Sequence, residues 1–158
     1  MTTSEELAFA DRVAQFYARE YKFPPVTGRV LGYLLVCRPP DPSIDELSQA
    51  LLASRSAITK AITQLTDLRV VRRSRPAGQR VDRITLDPRA LDPTGFARET
   101  YQEQAALARE ALEMLKDGPS ERRSMLEEAA AFYDFLAERM PALLIEWRAR
   151  RDARGLRH

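Results

Sequence analysis

The stretch "LLASRSAITKAITQL", residues 51–65, carries the side chains with the most chemistry to offer. Wound as a helix at about 100° per residue, it places Arg55, Ser56, Thr59, Lys60 and Thr63 within an arc of roughly 140°. Ala57, Ile58, Ala61, Ile62 and Leu65 fill the opposite side. Short hydroxyls that donate and accept, two cations and no acid suit a surface that meets phosphate oxygens and the polar edges of bases. An ordinary solvated helix face would be crowded with Glu and Lys.

Covalent and metal chemistry find little support. The single histidine is His158, at the end of the sequence, and the single cysteine is Cys37. A His-dependent triad in an ordered core and a Cys/His metal cluster are therefore excluded. There is no glycine loop of the phosphate-binding kind. Acid pairs such as Glu5/Glu6 and Glu127/Glu128 are adjacent on helices, so their side chains diverge. An enzyme is not expected, nor is a metal or cofactor. Cys37 ends an apolar segment and reads as a small buried hydrophobe rather than a redox switch.

The charge is unevenly placed. Residues 54–86 hold eight Arg or Lys against two acids, a local +6 in a chain of net charge +2, which leaves −4 for the remainder. Concentrated positive charge on an otherwise acidic chain is the electrostatic footprint of a polyanion binder. Hydrophobic residues make up 44% of the 158, enough for one domain with an appendage of its own. No apolar run approaches the ~18 residues of a membrane span. The opening "MTTSEELAFADRVAQ" is acidic and helical rather than a signal peptide, so a soluble, cytoplasmic protein with no membrane partner is expected.

Along the chain, "SEELAFADRVAQFYAREY" predicts a helix capped by Ser4. It has two apolar stripes, Leu7/Ala10/Ala14/Tyr17/Tyr21 and Phe9/Val13/Phe16, one more than a single core requires. Pro24 and Pro25 break it, and Thr27 is placed to cap "GRVLGYLLVC", which is apolar nearly all round and so buried. "SIDELSQAL" follows, with Ser43 and Glu46 spaced as a capping box and Ile44, Leu47 and Leu51 facing inward. Ser54 caps the helix already described, which runs to about Leu68. "VVRRS" and "VDRITL" flank the tip "RPAGQR" as an antiparallel hairpin, Ile84 and Leu86 on one face, Arg83 and Thr85 on the other.

Beyond the linker "DPRALDPTG", two long helices are predicted over about 96–117 and 120–150. Ala97, Tyr101, Ala105, Ala108, Leu112 and Leu115 repeat at the spacing of a packing seam in the first. Met125, Ala129, Phe132, Leu136, Met140, Leu143 and Trp147 do so in the second, where Pro141 is expected to kink the helix. The aromatics of the first and last helices suit a dimer core better than a cage for a cationic effector. The tail "RARRDARGLRH" is a second basic cluster.

Two short helices joined by a tight turn and followed by a basic hairpin describe a winged helix-turn-helix. A helix lying in the major groove excludes acids from its outer face, because phosphates flank it, and needs short side chains to approach the base edges. The candidate DNA-binding residues are therefore Ser54, Arg55, Ser56, Thr59, Lys60 and Thr63 on the helix, with Arg75, Gln79, Arg80 and Arg83 on the hairpin. Arg55 is placed to read a base, Lys60 to meet a phosphate or a guanine, and the hairpin arginines to extend over the neighbouring backbone.

Residues 43–86 resemble the winged helix-turn-helix of MarR-type transcriptional regulators, and "TGRVLGYLLV" and "FYDFLAERMPALLIEW" resemble the GbsR branch more specifically. The similarity runs from about Thr27 to Trp147. It implies a homodimeric promoter-binding regulator, usually a repressor, in some members controlled by a small molecule. The sequence departs from the family pattern at Leu52, in the turn, and at Arg69, after the recognition helix, where glycine is usual. The expectation is a mainly α chain. Residues 1–92 would hold an N-terminal helix and the winged helix-turn-helix, and residues 93–158 a helical dimerisation region. The alternative is a winged-helix protein-interaction module that binds no specific DNA, but such a docking face should carry large apolar anchors, which the 55–63 face lacks.

Overall fold

The computed structural model describes residues 3–78, 80–90 and 98–156. The chain is mainly helical with one small two-stranded hairpin, and its order is that of a winged helix: α1 (Ser4–Tyr21), α2 (Pro25–Leu34), α3 (Ile44–Leu51), α4 (Arg55–Asp67), β1 (Val71–Ser74), β2 (Arg83–Leu86), α5 (Arg98–Met114) and α6 (Ser120–Ala153). It divides into two compact units, Met1–Leu91 and Asp92–His158.

In the first unit the core is formed by Val30, Leu31 and Leu34 of α2, Ile44, Leu47 and Leu51 of α3, Ile58, Ala61, Ile62 and Leu65 of α4, and Val71 and Ile84 of the hairpin. Each such aliphatic side chain contributes about 1.5–3 kcal/mol when fully buried. The α1–α2 crossing is tighter than side-chain packing would allow. A Cβ on Gly28 would lie 2.6 Å from Cα of Ala14, and one on Gly32 would lie 2.8 Å from Cα of Ala10. Two glycines on one helix thus face two buried alanines on the other, and backbone rests on backbone.

The helix ends follow local chemistry, with two corrections to the predicted caps. Thr3, not Ser4, caps α1: its hydroxyl accepts from the amide of Glu6 while the Glu6 carboxylate accepts from the amide of Thr3. The threonine wins because it has a glutamate three residues on, whereas Ser4 has Leu7. Thr27 does not cap α2. The helix starts at Pro25, whose fixed φ suits the first helical position. Thr27 is buried inside the first turn, and its hydroxyl donates to Oε1 of Gln64 on α4 at 2.9 Å. The Ser43–Glu46 capping box and the Ser54 cap form as predicted.

The hairpin pairs Val71 with Leu86, Arg72 with Thr85, Arg73 with Ile84 and Ser74 with Arg83. A further bridge joins Ser43 to Arg83, and the amide of Ile84 donates to the carbonyl of Pro42, so the hairpin is stitched to the start of α3. Asp87, at the head of the predicted linker, belongs to the hairpin instead. Its carboxylate is buried and accepts from Nε and Nη2 of Arg72 at 2.9 and 3.0 Å and from the amide of Arg89 at 2.8 Å. Arg72 is the larger cause, and together these donors hold the carboxyl well below the usual carboxylate range.

In the second unit α5 and α6 pack as a helical hairpin. Among the described residues the buried positions are all alanine, Ala105 and Ala108 on α5 and Ala130 and Ala137 on α6. Arg123 closes the turn by donating to the carbonyls of Leu115 and Lys116, and Arg109 pairs with Asp134 between the helices. The assigned helix α6 continues through Pro141. Ala97 of the predicted α5 seam lies outside the described residues. Of the predicted α6 seam, Met125, Phe132 and Leu143 are more than half exposed in this chain. No helix among the described residues is long and apolar enough to cross a membrane.

Candidate nucleic-acid interface

The candidate face is built on α4. Its buried side, Ile58, Ala61, Ile62 and Leu65, seats it in the core and turns Arg55, Ser56, Lys60 and Thr63 outward. Thr59 is half-buried at the edge of that face. The residues within 55–63 are therefore brought together on one side of one helix. Ser54 is committed to capping, since its oxygen accepts from the amide of Ala57 at 3.2 Å. The two threonines are locally tied as well: Oγ1 of Thr59 donates to the carbonyl of Arg55 at 2.8 Å, and Oγ1 of Thr63 to that of Thr59 at 3.0 Å. Back-bonding of this kind fixes the rotamer of each side chain.

The turn that aims α4 departs from glycine in residue type but not in conformation. Leu52 takes φ 49° and Arg69 takes φ 57°, both left-handed, at the two positions where the resemblance leads one to expect glycine. Leu52 is 90% exposed, so no packing of its side chain holds it there. The restraint comes from neighbours. Nη1 of Arg29 donates to the carbonyl of Leu51 at 2.9 Å while its Nε donates to Asp11 of α1 at 2.6 Å. Ser48 Oγ donates to the carbonyl of Ala53 at 2.6 Å. Asp11, Thr27, Arg29, Ser48 and Gln64 are thus positioning residues that the sequence pattern did not reveal. The only local hint was a polar residue, Thr27 or Arg29, inside an otherwise apolar helix.

On the hairpin, Arg75 and Arg80 are exposed, while Gln79 lies outside the described residues. Arg83 does not extend outward as predicted. It is half-buried, with Nη1 donating to Oε2 of Glu46 at 2.8 Å and to the carbonyl of Asp41 at 3.4 Å. That carboxylate oxygen also accepts from the amide of Ser43, so one glutamate caps α3 and anchors the hairpin. The Ser43 hydrogen bonds, and then Arg83, lower its pKa. Sequence separation hid the pair, since its members lie 37 residues apart.

Other arginines are paired too. Arg55 forms an ion pair with Asp45 in the first turn of α3. Nε of Arg75 and Nε of Arg73 donate to the two oxygens of Asp82, each at 2.6 Å. Arg75 and then Arg73 hold the Asp82 carboxyl below its ordinary pKa. Arg55, Arg73, Arg75 and Arg80 line one cleft of about 170 Å³ with Asp45 and Asp82.

Cys37 is buried, and burial pushes its thiol up to about 11, which suits a packing residue and not a redox thiolate. Phe16, Tyr17, Tyr21 and Phe23 cluster at centroid distances of 5.2 to 6.3 Å, and the guanidinium of Arg19 lies over the Phe16 ring at 5.8 Å.

Residues 94–150 match the family model described as MmpR5-like MarR family transcriptional regulator. The chain is similar to MarR regulators of the MmpR5 type. A curated relative, the HTH-type transcriptional regulator MmpR5 of Mycobacterium tuberculosis (strain ATCC 25618 / H37Rv), is 35% identical over 106 residues. That alignment covers 65% of this chain and 63% of the relative, so the chain spans less than two thirds of the length of the MmpR5 protein it matches. A solved structure described as that of a transcriptional regulator superposes with a TM-score of 0.72 at 26% identity, over 92% of this chain and 99% of the other. The matched proteins are described as regulators, not enzymes. The family match falls on the second unit, whereas the candidate DNA face lies in the first.

Proposed function

We propose that the chain is a sequence-specific double-stranded-DNA-binding transcriptional regulator, a homodimeric repressor that reads an inverted repeat. The observation that carries this is the outward face of α4: Arg55, Ser56, Thr59, Lys60 and Thr63 with no acid among them, beside an arginine-bearing hairpin. A helix presented in this way fits the major groove, and Arg75 and Arg80 suit the adjacent phosphate backbone. The GbsR-type affiliation rests on "TGRVLGYLLV" and "FYDFLAERMPALLIEW". Control by a small-molecule effector is what the family resemblance adds, and the cytoplasm is where such a regulator would act.

Dimerisation is supported by the second unit. Two helices alone bury little, and Leu107, Met114, Met125, Phe132, Phe135 and Leu143 stand exposed there. A second copy of the same seam would cover them. Two recognition helices in a symmetric dimer would lie about 34 Å apart, one turn of DNA.

The test is a selection from random duplexes followed by salt-titrated binding of the selected site and of an unrelated duplex. Lys60→Ala and Arg80→Ala should weaken both and flatten the salt dependence by about one counterion each. Arg55→Ala and Thr59→Ala should instead change which bases are preferred. Absence of binding to any duplex at low salt would refute the DNA assignment and favour the protein-docking alternative.

A further inference from the structure

Four guanidinium groups and two carboxylates meet in the cleft between the start of α4 and the hairpin. No acid lies among Arg55, Ser56, Thr59, Lys60 and Thr63, and Asp67 stands exposed at the far end of α4, yet two acids sit beside the N-terminal end of this face, each paired with an arginine of the candidate interface. Asp45 lies on α3 and takes Arg55. Asp82 lies at the entry to β2 and takes Arg73 and Arg75, one on each oxygen. A purely phosphate-binding surface would carry no such acids, because each one repels the ligand and competes for the same donors.

We infer that Asp45 and Asp82 are resident anions that suppress sequence-independent binding to DNA phosphates. The inference rests on the DNA-binding function proposed above. A guanidinium has a fixed fork of donors, so the edge that holds a carboxylate is closed to a phosphate oxygen. A phosphate entering this cleft competes with the carboxylates for those donors, and each acid stays nearby as a like charge. Asp82 is the stronger competitor. Its side chain is only 14% exposed and has an arginine on each oxygen, whereas Asp45 is 57% exposed and holds one arginine. Arg80 lines the same cleft and stands nearest the tip, where it is exposed.

Asp45 is also placed to leave Arg55 useful for reading bases. The acid holds one guanidinium nitrogen of Arg55, which restricts the side chain, while 65% of that side chain remains exposed at the first turn of α4. Restraint of this kind opposes wandering to a backbone oxygen while keeping a planar donor pair for a base edge.

The experiment measures binding of an unrelated 30-base-pair duplex by the full chain between low and moderate salt, for wild type, Asp82→Asn and Asp45→Asn. Glu5→Gln, exposed and outside the cleft, adds the same net charge and serves as the control. Asn keeps the shape and removes the charge, and thermal melting checks that each variant folds. The expected result is a rise in affinity of about tenfold for Asp82→Asn and a few-fold for Asp45→Asn. The log–log salt slope should steepen by about one unit for Asp82→Asn, and the control should do neither. Affinity no higher than that of Glu5→Gln would overturn the inference. A loss of affinity would overturn it too, by showing that the aspartates hold the arginines in a binding pose. If wild type, both aspartate variants and the control all fail to bind at low salt, the DNA-binding function itself falls.

Discussion

Gly28→Ala tests the α1–α2 crossing most directly. The new methyl carbon would sit 2.6 Å from Cα of Ala14, 3.1 Å from its Cβ and 3.3 Å from its carbonyl oxygen. Carbon atoms in contact prefer about 3.5–4.0 Å, so the helices must separate by roughly 1 Å. The obstacle is backbone, which no rotamer change can move aside. Overpacking of this kind costs about 1–3 kcal/mol. Replacing glycine by alanine inside a helix returns roughly 0.8–1.0 kcal/mol of propensity. Because the obstacle is backbone, the upper part of that range applies, about 2–3 kcal/mol, and a net loss of about 1–2 kcal/mol is expected. For a unit of this size that lowers the melting temperature by roughly 4–16 °C. Urea unfolding followed by circular dichroism should show a lower midpoint at unchanged slope. Separation of the helices should also loosen the Asp11–Arg29–Leu51 chain, so DNA affinity should fall alongside stability. A variant as stable as wild type would contradict this account, because it would mean that α1 and α2 do not cross backbone to backbone in solution.

Two further outcomes follow from described contacts. Leu52→Gly should stabilise by about 0.5–1 kcal/mol: the left-handed conformation costs a non-glycine residue roughly 1–2 kcal/mol, and glycine's extra unfolded-state freedom takes back about 0.4–1 kcal/mol. Chemical denaturation gives the sign, and a destabilised variant would mean that the leucine side chain packs. The stabilising effect of Asp87 should be fully present above the unfolded carboxyl pKa of about 3.9 and disappear as pH falls through the lower folded value. The gap in urea midpoint between wild type and Asp87→Asn should therefore be flat from pH 7 to about pH 4 and close below that; a gap that closes between pH 7 and 5 would rule it out.

Features set by nearby residues were legible in the sequence. The Ser43–Glu46 box and the Ser54 cap depend on three-residue spacings, and the α4 face depends on helical periodicity alone. The Thr3–Glu6 box was equally legible, and the glutamate was the signal to follow. Thr27 was misplaced because Pro25 already starts the helix, and its real partner, Gln64, lies 37 residues away. Pairing of the candidate arginines was invisible for the same reason. Arg55–Asp45 and Arg83–Glu46 join different elements, and only the folded chain brings them together. Nor do residue preferences predict left-handed backbone at Leu52 or Arg69, where the helix ends are closed by the amide of Ala53 donating to the carbonyl of Ser48 and the amide of Val70 donating to that of Leu65.

The restraint on the turn has an evolutionary corollary. Because Arg29 and Ser48 hold the carbonyls on either side of Leu52 and its side chain is exposed, residue 52 contributes only its left-handed backbone. Selection then acts on positions 29 and 48 as well as on the backbone at 52, where a residue other than glycine is carried at the cost of the left-handed conformation. Related chains that lack glycine at the turn should retain a long cationic side chain and a hydroxyl at the two positions that clamp it. The tilt of the recognition helix would thereby be inherited through residues that never approach the DNA.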